Sequence, residues 1–213
     1  TDFKDSELGR IPKSWEVVTL RERFTFGGGS TPSREKTEYF CDKGRGYIWV
    51  KTTDLNDSDM FSSEENITKE GLSASSCKIH PAGTVVVAMY GGWNQIGRSG
   101  LLRNDASINQ ALTAILPSES IIPPFLNYWL VTMRYLWKQI AASSRKDPNI
   151  TKADVEGFKI AIPSIEEQQN ITKIADAISH KILMVEMKLS QTQSLKKSLM
   201  QDLLTGKVRV TAN

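Results

Sequence analysis

Hydrophobic positions fall into two regimes along the chain. From residue 16 to residue 116, short alternating or β-rich runs bounded by glycine and turn residues recur at 16–20, 47–51, 84–89, 100–102 and 112–116. A longer stretch at 124–140, opened by Pro123-Pro124 and carrying Phe125, Tyr128, Trp129, Val131, Met133 and Leu136, has helical spacing, and 158–162 reads as a last strand. After Pro163 the pattern changes. About forty residues pass without Gly or Pro, and Ile171, Ile174, Ile178, Ile182, Val185 and Leu189 follow one another at steps of three and four, which puts them on one face of a helix. The stripe lapses at Thr192 and Gln193 and resumes out of phase at Leu195, Leu199 and Leu203, as a stutter does in a coiled coil.

The ends of this helix are marked. Ser164, with Glu167 three residues on, has the spacing of a capping box, and Glu166 adds an acid where the helix dipole is positive. Gly206 is placed as a C-terminal stop, with Lys207 and Arg209 at the negative end. A helix over 164–204 is about 60 Å long at 1.5 Å per residue, and helices of that length without internal breaks are commonly coiled coils. The pattern therefore predicts an α+β globular domain over residues 1–163 and a long helical dimerisation or spacer arm over 164–213.

Composition narrows the class. At 213 residues and 39% hydrophobic content the chain can bury a real core. No apolar run approaches membrane-span length and no leader pattern is present, so a cytoplasmic setting without membrane contact is expected. Cys41 and Cys77 are too few for a disulfide framework and lack metal-ligand spacing, and His80 and His180 read as structural. The net charge of +3 is too small to identify a nucleic-acid partner, so its distribution matters more. Residues 54–70 hold six acids against Lys69, an unpromising face for phosphate. Residues 134–152 are basic through Arg134, Lys138, Arg145, Lys146 and Lys152, and Arg98 with Arg103 add an acid-free stretch. These are candidate phosphate contacts, or a solvated charged face.

Four loops carry candidate recognition chemistry. In Gly27-Gly28-Gly29-Ser30-Thr31-Pro32-Ser33-Arg34, glycines permit close backbone approach while Ser30, Thr31, Ser33 and Arg34 can donate to phosphate; no Gly-Lys-Ser/Thr closes it as a P-loop. Tyr90-Gly91-Gly92-Trp93-Asn94-Gln95-Ile96-Gly97-Arg98 joins amides suited to adenine edges to an arginine suited to guanine, although a tight turn explains the glycines equally well. Ser107-Ile108-Asn109-Gln110 leads into a strand, where its amides can tie backbone groups. The last loop contains Ser143, Ser144, Arg145 and Lys146. No metalloprotease motif, nucleophile elbow or acid–base–nucleophile set is present, which points to a recognition module and away from a catalyst.

Taken in order, the elements Leu8-Gly9-Arg10-Ile11-Pro12-Lys13-Ser14-Trp15-Glu16, Gly28-Gly29-Ser30-Thr31-Pro32-Ser33, Tyr47-Ile48-Trp49-Val50-Lys51-Thr52-Thr53-Asp54-Leu55, Pro81-Ala82-Gly83-Thr84, Tyr90-Gly91-Gly92, Asn109-Gln110, Ile162-Pro163 with Glu166-Glu167-Gln168, and Leu203-Leu204-Thr205-Gly206 resemble the specificity subunits of Type I restriction-modification enzymes. Members of that family usually carry two target-recognition domains, each followed by a long helix, and this chain is similar to half of that layout. The resemblance implies a non-catalytic subunit that binds double-stranded DNA in a prokaryotic cytoplasm and directs adenine methylation and restriction to a bipartite, interrupted site. It implies modification subunits carrying S-adenosylmethionine, a motor-nuclease subunit using ATP and Mg, no cofactor on this chain, and antiparallel helix pairing, as a homodimer if the chain is a natural half-subunit. The expected DNA contacts are Ser30, Thr31, Ser33, Arg34, Lys51, Tyr90, Trp93, Asn94, Gln95, Arg98, Arg103, Ser143, Ser144, Arg145 and Lys146. Many members have a Gly-rich, Gln-containing stretch where this chain has Ser143 to Asn149, and the Trp93-Asn94-Gln95 insertion looks peculiar to it. The reading from another class is a protein-interaction module that uses its coiled-coil arm and binds no DNA.

Overall fold

The computed structural model describes residues 2–141 and 149–210. Its elements run β1 (Phe3–Ser6), β2 (Gly9–Pro12), β3 (Glu16–Thr19), β4 (Phe26–Gly28), β5 (Phe40–Asp42), β6 (Tyr47–Val50), β7 (Ser58–Met60) and β8 (Glu65–Ile67), then the short helix α1 (Lys69–Ser73). There follow β9 (Val85–Ala88), β10 (Ser99–Leu102), β11 (Ser107–Ile108), β12 (Leu112–Ile115), α2 (Pro123–Thr132), α3 (Tyr135–Ala141), α4 (Lys152–Glu156), β13 (Lys159–Ile162) and α5 (Ile165–Leu204). The chain divides into two compact units, 1–170 and 171–213.

In the first unit a five-stranded sheet has the order β4-β12-β9-β10-β7, and a four-stranded sheet the order β11-β6-β8-β5. All four residues of β9, of β10 and of β12 are buried. Such strands read as continuous apolar runs because both faces are covered. Val86, Ala88, Leu112 and Ala114 join Val50 and Ile108 of the other sheet in one apolar cluster, while α2 lies against β9 and β10 and its Asn127 accepts from the Ser99 hydroxyl at 2.8 Å. A third pairing, β3 with β13, ties the start of the unit to its end, and Leu20 N–H donates to Phe158 O at 2.9 Å.

Three departures from the sequence pattern are informative. The helix expected over 124–140 is two helices, broken at Met133 and Arg134, and the turn lets Trp137 stack on Phe158 with ring centroids 4.0 Å apart. Phe26–Gly28 is a strand, since its glycines pair with Thr113 and Ala114 of β12. The first unit also takes in the start of α5. Ser164 caps that helix as expected, its hydroxyl accepting from Glu167 N–H at 3.3 Å. The Glu167 carboxylate, however, turns to the Trp15 indole, which donates at 3.1 Å. Gln168 is fully buried, donates to Ser120 O and Pro163 O, and accepts from Ile122 N–H at 2.9 Å.

The second unit is the remainder of α5. Its stripe of Ile174, Ile178, Ile182, Val185 and Leu189 is half or more exposed. The helix ends at Gly206, whose φ of +72° lets Val208 N–H reach back to Asp202 O at 3.1 Å, with Lys207 paired to Asp202 at 3.2 Å. Among the described residues, no helix is long and apolar enough to cross a membrane.

Candidate nucleic-acid interface

Strand direction gathers three of the four loops, and the last residues of the fourth, at one end of the first unit. β6 and β11 are parallel, so both finish there, and Asn109 N–H donates to Val50 O at 2.9 Å. The loop after β4 joins them through Ser30 N–H to Ile108 O at 3.0 Å, and the exit of β9 joins through Met89 N–H to Ala111 O at 2.8 Å. Ile150 N–H donates to Met89 O at 3.0 Å, which brings in the segment before α4. Ser143, Ser144, Arg145 and Lys146 lie outside the described residues.

The polar groups at this end are partly prearranged. The Thr31 hydroxyl donates to the Gln110 side-chain oxygen, while Asn109 ties backbone, its side chain accepting from Ala111 N–H at 3.1 Å. Tyr90 and Trp93 are 42% and 46% exposed, a large apolar area to leave in water beside exposed Asn94. Gln95 is half-buried and its side-chain oxygen is buried without a partner, so it faces the protein. Gly27, Gly29 and Gly97 serve packing within the protein. A Cβ on Gly29 would lie 2.1 Å from Asn109 O, one on Gly27 would meet the His80 ring, and one on Gly97 would lie 2.1 Å from the Trp137 ring. His80 is structural as read, its ring 3.2 Å from Gly28 O, with burial pushing its pKa down.

The cations are differently placed. Arg34 grips Glu65 through two bonds of 2.9 Å and stacks over Phe40 and Trp49, at 4.1 and 5.0 Å from their ring centres. Lys51 reaches the same carboxylate at 3.3 Å. Arg98 donates to Leu55 O, and Arg103 pairs with Asp59 at 2.8 Å at the far end of β10 from the gathered loops. Four of the six acids in the 54–70 stretch are accordingly engaged. Asp54 accepts from Lys51 N–H and Glu64 N–H, Asp57 pairs with Arg134, and Asp59 and Glu65 hold the cations just named.

The Arg34 guanidinium beside Glu65, with Lys51 adding to it, holds this carboxyl below its ordinary value of 4.5. A lowered carboxyl stabilises the fold above the unfolded value and ceases to as pH falls through the folded one. The stability lost in Glu65→Gln should therefore be full at pH 7 and shrink below pH 4.5, which urea titrations at pH 7 and pH 3 would read; an equal loss at both would remove the ion pair as its source. Among the described residues, no group of three or more His, Cys, Asp or Glu side chains is arranged to hold a metal ion.

The family model for the Type I restriction modification DNA specificity domain matches residues 12–192. The Type I restriction enzyme MjaIX specificity subunit of Methanocaldococcus jannaschii is 30% identical over 202 residues, which are 92% of this chain and 44% of that protein. The EcoR124I/EcoR124II specificity subunit of Escherichia coli is 29% identical over 179 residues, 82% of this chain and 41% of that one. Among solved structures, a chain of a type I R-M system superposes with a TM-score of 0.67 at 22% identity, over 90% of this chain and 45% of its own length. The HsdS subunit from Thermoanaerobacter tengcongensis does so at 0.65 and 18%, over 94% and 47%. The chain thus spans under half the length of the curated relatives it matches. Both the α+β domain and the long helix that follows it recur in these structures, and with a family model covering most of its residues this chain belongs to the Type I restriction modification DNA specificity domain family.

Proposed function

We propose that this chain reads one half of a bipartite, interrupted DNA site for a prokaryotic, cytoplasmic Type I restriction-modification complex, and so directs adenine methylation and restriction to that site. The observation that carries the reading is the gathering of Thr31, Gln110, Tyr90, Trp93 and Asn94 at the end where β4, β6, β9 and β11 finish. Base edges in the major groove are distinguished by such amide and hydroxyl donors and acceptors, and the thymine methyl by apolar contact. Arg34 and Lys51 stand beside them, and a phosphate can compete with Glu65 for Lys51 more readily than for Arg34, whose two parallel bonds and aromatic support fix it.

Catalysis belongs to partners. Modification subunits supply S-adenosylmethionine chemistry, and a motor-nuclease subunit supplies ATP- and Mg-dependent cleavage. The arm pairs antiparallel with the same helix of a second copy. At about 60 Å the arm outspans many base pairs stacked 3.4 Å apart, so two domains joined through such helices read separated half-sites. Twofold pairing makes the site palindromic. The test is a methylome: the chain is expressed with its modification subunit in a host lacking adenine methylation, and the modified positions are sequenced. An interrupted palindrome is expected. Methylation of a continuous site would refute the spacing, and absence of DNA binding at low salt would favour an interaction module instead.

A further inference from the structure

Arg134 lies in the basic 134–152 stretch and reads from sequence as a phosphate contact, but the structure employs it otherwise. It stands at the break between α2 and α3, where the chain leaves helical geometry, and its guanidinium is spread over three acceptors. It donates to the backbone oxygens of Asn94 at 2.6 Å and Ile96 at 3.3 Å, and to the Asp57 carboxylate at 2.9 Å. Asp57 is itself unusual. Among the described residues it is the one non-glycine with positive φ, at +54°, and its other oxygen accepts from Ser99 N–H at 3.0 Å. Backbone held in that region concentrates where the surrounding structure overdetermines it, often at functional sites.

The loop so held is the one that displays Trp93 and Asn94. Inside it, Gln95 and Ile96 N–H groups both donate to Gly92 O, and Gly97 N–H donates to Ala88 O, which fixes its base; Arg134 fixes its tip from outside. Only a forked, planar cation serves three acceptors set around it in this way, and an ammonium cannot reproduce the fork.

We propose that Arg134, braced by Asp57, is a positioning residue for sequence discrimination: it touches no DNA, and it holds the 91–98 loop in the one conformation in which Trp93 and Asn94 meet their base pair. The proposal rests on the DNA-reading function above. Preorganisation of a contact raises discrimination because a wrong partner is then refused by a loop that does not yield. Removing the clamp should relax preference at the base pairs this loop reads and leave phosphate contacts in place.

The experiment uses the complex of this chain with its modification subunit, duplexes carrying the methylated motif, and single-base variants of it. Preference, the salt dependence of binding and the melting temperature are measured for wild type, Arg134→Ala, Arg134→Lys and Asp57→Asn. All three variants should lose about tenfold in preference at the same one or two base pairs, the scale of one good base contact, with an unchanged salt slope. In a Trp93→Ala, Asn94→Ala background, Arg134→Ala should relax those positions no further. If Arg134→Lys matches wild type while Arg134→Ala lowers the salt slope by about one, Arg134 is a phosphate contact and the proposal fails. If the variants melt lower yet keep full preference, the clamp serves only the fold and the proposal fails as well. A wild-type complex that binds DNA with no preference overturns the DNA-reading function itself, and this inference with it.

Discussion

Gly29→Ala should cost about 3 kcal/mol of unfolding free energy, a large share of what a domain of this size has, whereas Gly28→Ala next to it should cost almost nothing. The added Cβ at position 29 would sit 2.1 Å from Asn109 O and 2.4 Å from Ile108 O. Neither oxygen can retreat cheaply. Ile108 O is held by Ser30 N–H and Asn109 is held through its own N–H by Val50 O, so relief has to break the seam between the loop after β4 and the parallel pair β6–β11. At position 28 a Cβ meets nothing within 4 Å. Urea midpoints of the two variants measure the difference directly. The pair also separates two purposes for the glycine run. If its function were close approach of backbone to phosphate, Gly28→Ala would abolish DNA binding at full stability; if it packs the protein, Gly29→Ala unfolds it and Gly28→Ala binds as wild type does. Equal midpoints for the two would refute the packing account.

The same residues show what sequence reasoning can and cannot reach. Val85-Val86-Val87 and Tyr47-Ile48-Trp49-Val50 declare strands because a run of β-branched and aromatic residues between turns has few other solutions, and these runs form β9 and β6. Phe26–Gly28 declares nothing of the kind, because what makes it a strand is a partner nearly ninety residues on. The 124–140 stretch has helical periodicity throughout, and its break at Met133 and Arg134 belongs to the stacking of Trp137 on Phe158, which no local pattern records. In the candidate interface, the hydroxyl and amide loops were legible, since glycines and small polar residues between strands mark positions where backbone is free to present side chains. The charges were not. A cation's availability depends on its nearest carboxylate in space, and Arg34 finds Glu65 across 31 positions while Arg134 finds Asp57 across 77. Counting charges along windows therefore read Asp57 and Asp59 as part of an open acidic face and their ion-pair partners, Arg134 and Arg103, as candidate phosphate contacts.

Ile182→Asp should raise the dissociation constant of the homodimer proposed for the arm about a hundredfold or more, and Met187→Asp should leave it near wild type. Both side chains are about half exposed, at 53% and 49%, and both substitutions place the same acid in the same helix, so helix propensity and overall hydrophobicity cancel between them. They differ in direction. Ile182 continues the stripe of Ile174, Ile178, Val185 and Leu189, while Met187 points roughly 140° to 200° around the helix from Ile182, Val185 and Leu189. In a twofold pair every substitution is made twice, so a seam residue worth about 1.5 kcal/mol on each side removes about 3 kcal/mol from the dimer, before the cost of burying two carboxylates. Sedimentation equilibrium reads the association and circular dichroism checks that the helix persists. Leu183, Met184 and Met187 are also about half exposed, off that stripe. A wild-type chain that sediments as a monomer at tens of micromolar would refute the homodimer, and loss of pairing in both variants would show that the arm associates through no defined seam.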